Sequence, residues 1–253
     1  MECSNNRRLE LLKLENIKKS FGKVEALKGV DITVNRGEVI GLVGDNGAGK
    51  STLIKIISGA LIPDYGRIFF EGREVHFKSP RDARALGVET VYQDLSLCET
   101  LTVAQNIFLG REPIRVICGF PFLDKTALYN NTQKVLDELR INIPSVKALV
   151  RDLSGGQRQA VAIGRAVTFE PKLLILDEPT AALAVREAQK VLDLVKKLKD
   201  MNISVILVSH RLQDIMETAD RVVVMYEGKK VAEHVISDLN FEKLASLVAA
   251  AHE

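Results

Sequence analysis

Near the N-terminus, apolar and polar positions alternate. Leu12-Lys13-Leu14-Glu15-Asn16-Ile17 and Val30-Asp31-Ile32-Thr33-Val34 each place their large side chains on one face of an extended segment, which predicts strands of a half-buried sheet. Glu38-Val39-Ile40-Gly41-Leu42-Val43 breaks the alternation: it is an almost unbroken apolar run that ends at a glycine, as expected of a central parallel strand covered on both faces. Further strands are predicted at 67–70, 88–92, 173–176, 204–208 and 221–226, most of them separated by stretches of helical period. Strands alternating with helices imply a parallel sheet. Residues 95–168 interrupt that rhythm, with helical periodicity at 126–139 and 156–168 and no convincing strand, and they read as an inserted helical lobe. A closing amphipathic helix is expected at 241–251.

Composition narrows the class without naming a function. The 253 residues carry 35 Lys and Arg against 33 Asp and Glu, a formal charge of +2, so global charge argues neither for wrapping nucleic acid nor for carpeting an anionic membrane. A hydrophobic fraction of 46% with 27% charged residues is that of a globular chain rather than a disordered one. The longest apolar runs, 173–176 and 222–226, are far shorter than the roughly 18 residues a bilayer-crossing helix needs. The first eight residues lead into no apolar stretch of the kind a secretory signal requires, which points to the cytosol. Cys3, Cys98 and Cys118 are odd in number and lack CxxC spacing, so neither a disulfide framework nor a zinc site is indicated. A mean hydropathy of +0.05 suggests that a partner covers some apolar surface.

Chemistry enters at Gly44-Asp45-Asn46-Gly47-Ala48-Gly49-Lys50-Ser51, which fits GxxxxGK[ST] between a buried strand and a helical run at 52–57. Glycines let successive backbone N–H groups turn inward onto phosphate oxygens, and the following helix adds the positive end of its dipole. Lys50 is expected to reach the β and γ phosphates, Ser51 to ligate Mg²⁺ and Thr52 to contact the α phosphate. Leu173-Leu174-Ile175-Leu176-Asp177-Glu178 ends an apolar strand in two carboxylates. If that strand neighbours the loop strand in parallel, Asp177 can hold Mg²⁺ and Glu178 can take a proton from water attacking the γ phosphate. A second glycine-rich turn, Leu153-Ser154-Gly155-Gly156-Gln157, opens another helical pattern. It is an anion site at a helix N-terminus without a lysine, so it reads as half of a nucleotide site rather than a whole one.

With LSGGQ standing between the loop and the DE strand, the sequence resembles the ATP-binding subunits of ABC transporters over nearly its whole length. The resemblance implies a P-loop NTPase fold of α/β class: a mostly parallel core sheet and an antiparallel β-subdomain at about 9–94 and 169–240, a helical signature subdomain at about 95–168 and a C-terminal helix at about 241–253. It also implies ATP and Mg²⁺ as cofactors, held between two copies facing head to tail, so that Ser154, Gly155, Gly156 and Gln157 complete the partner's site. By the same resemblance Phe21 stacks on adenine beside Ala26, Gln93 approaches Mg²⁺ and the attacking water, and His210 contacts the γ phosphate and positions Glu178. The glycines at 44, 47 and 49, with Asn46 and Ala48, belong to the phosphate cradle. One position departs from the pattern: Ala184 stands where the family often has an aspartate, which puts coupling between the two sites in question.

Other stretches look like ATPases of monosaccharide importers of the ribose, xylose and fructose type: Val91 to Cys98, Asn106 to Glu112, Ser209 to Leu212 and Ala219 to Arg221. Many of those fuse two cassettes in one chain, so the single cassette here implies a homodimer, without room after Glu253 for a regulatory domain. Cargo would reach transmembrane permease subunits from a periplasmic or extracellular sugar-binding protein, with this chain peripheral on the cytoplasmic side and no nucleic acid bound. The apolar positions Leu95, Leu97, Cys98, Leu101 and Val116 to Phe122 either pack inside the helical lobe or form a groove for a permease helix. A soluble ABC switch acting on ribosomes or DNA, an ABC transporter subunit for another cargo, or a binding module without hydrolysis are the competing readings.

Overall fold

The structure, a computed structural model, describes residues 9–250. Cys3, the rest of the first eight residues and the end of the expected C-terminal helix, 251–253, therefore lie outside the described residues. The chain opens with two long antiparallel strands, β1 (Glu10–Phe21) and β2 (Val24–Asn35), followed by β3 (Val39–Val43) and α1 (Lys50–Ile57). Two short strands, β4 (Tyr65–Phe70) and β5 (Arg73–Val75), precede α2 (Pro80–Ala85), which begins with a reciprocal Ser79–Asp82 capping box, and β6 (Val88–Val91). Next come α3 (Val103–Ile107), β7 (Ile114–Ile117), β8 (Phe120–Leu123), α4 (Lys125–Glu138) and α5 (Gly155–Val167). The chain then alternates: β9 (Leu173–Asp177), α6 (Val185–Asp200), β10 (Ser204–Val208), α7 (Leu212–Thr218), β11 (Arg221–Tyr226), β12 (Lys229–Val235) and α8 (Phe241–Ala250).

The strands build a four-stranded antiparallel sheet in the order β2-β1-β4-β5 and a six-stranded sheet in the order β12-β11-β3-β10-β9-β6. In the larger sheet only the β11–β12 pair is antiparallel. Its central strands explain their own apolar runs. Val39 and Val43, Leu174 and Leu176, and Val205 and Leu207 pack into one core cluster, while Ile40 and Leu42, Leu173 and Ile175, and Ile206 and Val208 pack into another. Successive side chains leave opposite faces of a strand, so a sheet covered on both sides needs hydrophobic residues at every position. The antiparallel sheet and α1, through Leu53, Ile54, Ile56 and Ile57, cover one face. Helices α5, α6, α7 and α8 supply Ile163, Val195, Ile215 and Leu244 to the other. Each such fully buried aliphatic side chain contributes about 1.5–3 kcal/mol relative to exposure.

A third cluster, Val103, Ile107, Leu136, Val150, Leu153 and Val161, joins α3, α4 and α5 into the expected helical region. Two expectations for that region fail. Residues 114–123 are a two-stranded ribbon with Ile117 paired to Phe120, not a strand-free stretch. Its apolar side chains are exposed, Val116 by 72% and Phe120 by 68%, so it does not pack inside the lobe. Leu95 and Leu97 instead turn inward against the core. β-branched and aromatic residues around the Cys118-Gly119 turn give the hairpin its local preference, in strands of only four residues each.

Candidate nucleotide site

The carboxyl ends of β3, β9 and β10 meet at one edge of the parallel sheet. After β3 the backbone turns through positive φ at Gly44, Gly47 and Gly49 before entering α1. Asn46 and Gly47 are exposed, Ala48 is buried, and Ser51 and Thr52 stand in the first turn of the helix, exposed and half-buried respectively. Lys50 folds back over the loop, donating from Nζ to the carbonyls of Gly44 and, at 2.9 Å, of Asp45. Burial holds its ammonium below the ordinary lysine value, opposed by the charges of Glu178, Asp45 and Asp177.

β10, not β9, is the strand beside β3. The expectation that the carboxylate strand neighbours the loop strand is corrected: Val208 pairs with Leu42 on one side and Asp177 on the other. β10 ends at Val208, so Ser209 and His210 follow it at the same edge and bring the histidine to Glu178. His210 Nδ1 lies 2.7 Å from Glu178 Oε2. Glu178 itself holds the left-handed backbone conformation, φ 52°, and donates its N–H to the carbonyl of Val208 at 2.9 Å. Burial pushes the Asp177 carboxyl up, the neighbouring Glu178 charge adds to this, and Lys50 and Lys55 oppose it.

Other expected site residues lie on β1, on β2 and just past β6. Phe21 closes β1, half-exposed, with Lys19 Nζ 5.9 Å from its ring centre, and Ala26 is half-buried on β2. Gln93 is exposed just past β6, the strand beside β9. The segment leaving it is tied down by Arg165, which donates to the carbonyls of Leu95 at 2.7 Å and Ser96 at 2.9 Å.

The signature turn does not join the cluster. Ser154 is the N-cap of α5: its Oγ accepts from the Gln157 N–H at 3.3 Å while its own N–H donates to Gln157 Oε1 at 3.0 Å. Gly156 lies flat against α6, where a Cβ would stand 2.9 Å from Glu187 Cβ. Ser154 is exposed at this helix N-terminus.

The family profile described as "ABC transporter" matches residues 27–181, and one described as "P-loop domain" matches 129–243. The chain belongs to the ABC transporter ATPase family. It is 48% identical to the xylose/arabinose import ATP-binding protein of Sulfolobus acidocaldarius, covering 95% of this chain and 94% of that one. It is 40% identical to the fructose import ATP-binding protein of Rhizobium meliloti, over 96% and 95% of the two chains. Against the ribose import ATP-binding protein of Yersinia pestis it is also 40% identical, but it spans only 46% of that protein. Among solved structures, the ADP conformation of an ATP-binding cassette of an ABC transporter superposes with a TM-score of 0.81 at 31% identity, over 95% of each chain.

Two parts of this ABC ATPase site escaped the sequence reading. Gly228, in the β11–β12 turn, donates its N–H to the Ala48 carbonyl at 3.1 Å and accepts from the Lys28 N–H at 2.8 Å, so it ties the phosphate loop to β2. Only the Glu227-Gly228 turn signal could have raised it. Asp214, buried in the first turn of α7, accepts from Thr180 Oγ1 and stands 3.5 Å from Arg211 Nε. A carboxylate four residues past a histidine carries no motif of its own.

The donor set suits a hard divalent cation. Among the described residues no cluster of three His, Cys, Asp or Glu side chains could cage a metal by itself. A serine hydroxyl, a glutamine amide and one carboxylate raised by burial are what Mg²⁺ uses when phosphate oxygens and water fill its remaining positions. No helix among the described residues is long and apolar enough to cross a membrane.

Proposed function

We propose that this ABC ATPase binds ATP on the loop 44–52 and hydrolyses it to energise uptake of a monosaccharide. The observation that carries the reading is the convergence of Lys50, Asp177, Glu178 and His210 at the ends of three adjacent strands, with the histidine 2.7 Å from the glutamate. Backbone N–H groups of residues 44–49 and Lys50 receive the phosphates, and Phe21 with Ala26 receives the adenine. Ser51, Gln93 and Asp177 would hold Mg²⁺, which when bound neutralises charge on the β and γ phosphates. Glu178 accepts a proton from water as that water's oxygen bonds to the γ phosphorus and the bond to the ADP oxygen breaks. His210, donating from Nδ1 to ionised Glu178, holds the carboxylate in line.

Ser154, which is exposed, with Gly155, Gly156 and Gln157 acts in a second copy, so that two nucleotides close a head-to-tail homodimer. The force is delivered to transmembrane permease subunits on the cytoplasmic side, where the exposed hairpin 114–123 and the segment past Gln93 offer contact surface. Identity of 40–48% to sugar import ATP-binding proteins, across almost the whole chain, supports the importer reading over a soluble switch. The test is to purify the intact complex from solubilised membranes and identify the ligand of its binding protein. Recovery of permease subunits and a monosaccharide is expected, and absence of any integral-membrane partner overturns the transport reading.

A further inference from the structure

Glu178 and His210 come from different strands, which the Glu178 N–H ties together at the Val208 carbonyl, and the segments leaving those strands are held by a second set of contacts. Two residues past Glu178, Thr180 is buried, with its hydroxyl donating to Asp214 Oδ2. One residue past His210, Arg211 reaches the same side chain, Nε lying 3.5 Å from Asp214 Oδ1, and its Nη1 donates to the Thr180 carbonyl at 3.5 Å. Arg211 N–H is held at 3.0 Å by the hydroxyl of Ser209, itself fully buried, so the turn bearing His210 is fastened on both sides. Asp214 is 2% exposed and anchored in α7. Its two oxygens thus grip the post-glutamate segment and the post-histidine segment separately.

We propose that Asp214 is a positioning residue for hydrolysis: through Thr180 and Arg211 it sets the separation of Glu178 and His210. A buried carboxylate is costly unless its partners are well placed, so keeping one here, bonded to a buried threonine, favours a geometric role over packing alone. The proposal rests on Glu178 being the base. Its consequence is a loss confined to turnover, because the phosphate loop and the adenine face make no use of this clamp. A displacement of about 1 Å at a reacting group is enough for a loss on the order of 100-fold.

The experiment measures ATP hydrolysis and binding of a fluorescent ATP analogue by the full chain carrying Asp214→Asn, Thr180→Val, both together, or Thr180→Ser. Expected are a kcat reduced between about 10- and 100-fold in Asp214→Asn and in Thr180→Val with KM and analogue affinity unchanged, a double variant no slower than the worse of these two, and near wild-type kcat in Thr180→Ser, which keeps the hydroxyl. Multiplying losses, affinity falling in step with kcat, or wild-type kcat in Thr180→Val overturns the clamp. Should Asp214→Asn fail to fold, Thr180→Val and Thr180→Ser carry the same decision. Glu178→Gln is run beside them: full turnover in that variant sinks the base assignment itself, whereas a clamp failure leaves Glu178→Gln inactive.

Discussion

His210 Nδ1 and Glu178 Oε2 are 2.7 Å apart although 31 residues separate them in the chain, because β9 and β10 are parallel neighbours that end at the same edge. Glu178→Gln keeps the shape and hydrogen-bonding reach of the side chain but removes its ability to take a proton. Nucleotide binding should persist while turnover falls by at least about 100-fold, and light scattering should find an ATP-bound dimer that no longer dissociates. Unchanged turnover would remove Glu178 from the role of base. His210→Ala should lower kcat with little change in nucleotide affinity, since the histidine orients Glu178 rather than gripping the loop.

The signature turn yields a prediction about assembly. Ser154→Arg places a long cation where a phosphate of the partner's nucleotide should sit, and it also deletes the α5 cap, a loss of about 1 kcal/mol. Ser154→Ala deletes the cap alone. In a Glu178→Gln background, ATP should dimerise the Ala variant and leave the Arg variant monomeric. Dimers in both would refute the contribution of this turn to a second copy.

Much of this was legible beforehand, and the exceptions within the site share a cause. Gly44 to Ser51, Ser154 to Gln157 and the DE pair are local patterns whose chemistry follows from spacing, and an unbroken apolar run identifies a parallel strand wherever it lies. Strand order is not local: that β10 stands between β3 and β9 depends on how Leu207 and Ile206 pack across both faces of the finished sheet. The same holds for Asp214 and Gly228, which become part of the site only when distant segments are brought against them. The hairpin at 114–123 was missed for the opposite reason, since its signal is local but short and exposed.

Gly228 illustrates how such a residue can be tested. Its φ is 79° and a Cβ there would come within 2.7 Å of the Ala26 carbonyl oxygen. Gly228→Ala must therefore shift the β11–β12 turn, at a strain of about 1–3 kcal/mol, and loosen the bond to Ala48 in the phosphate loop. Expected are a lower Tm and weaker ATP binding together. Wild-type nucleotide affinity in the variant would show that the turn does not support the loop.

Glu89 supplies a pH dependence away from the chemistry. It is 8% exposed on β6 with Arg84 Nε 3.3 Å away. Burial raises its carboxyl above the ordinary value of 4.5 and outweighs Arg84, Arg111 and Arg165, which draw it down. The folded state therefore holds a proton that the unfolded state has released, and stability falls as pH climbs from about 4.5 through the raised value, then levels. Glu89→Gln removes this component. The variant's Tm minus the wild-type Tm should grow more positive between pH 4.5 and 7, and a difference independent of pH would contradict the assignment.

Ala184, the departure from the family pattern, proves to be the N-cap of α6, with extended backbone at ψ 154° and no side-chain acceptor for the first-turn N–H groups. Its carbonyl already accepts from Glu187 and Ala188, at 2.9 Å each, so the backbone is in capping geometry and lacks only the side chain. Ala184→Asp should supply that acceptor and place a negative charge at the positive end of the helix dipole, stabilising the fold by about 1 kcal/mol and raising Tm by roughly 2–4 °C. The helix packs against Gly156 through Glu187, so a firmer α6 N-terminus also steadies the signature turn from behind. If ATP closes two copies around that turn, the variant should dimerise at lower ATP concentration as well as melt later. A gain in Tm without any change in dimerisation would confine Ala184 to helix capping, and no gain in Tm would mean that the alanine is already capped by solvent as well as a carboxylate could manage.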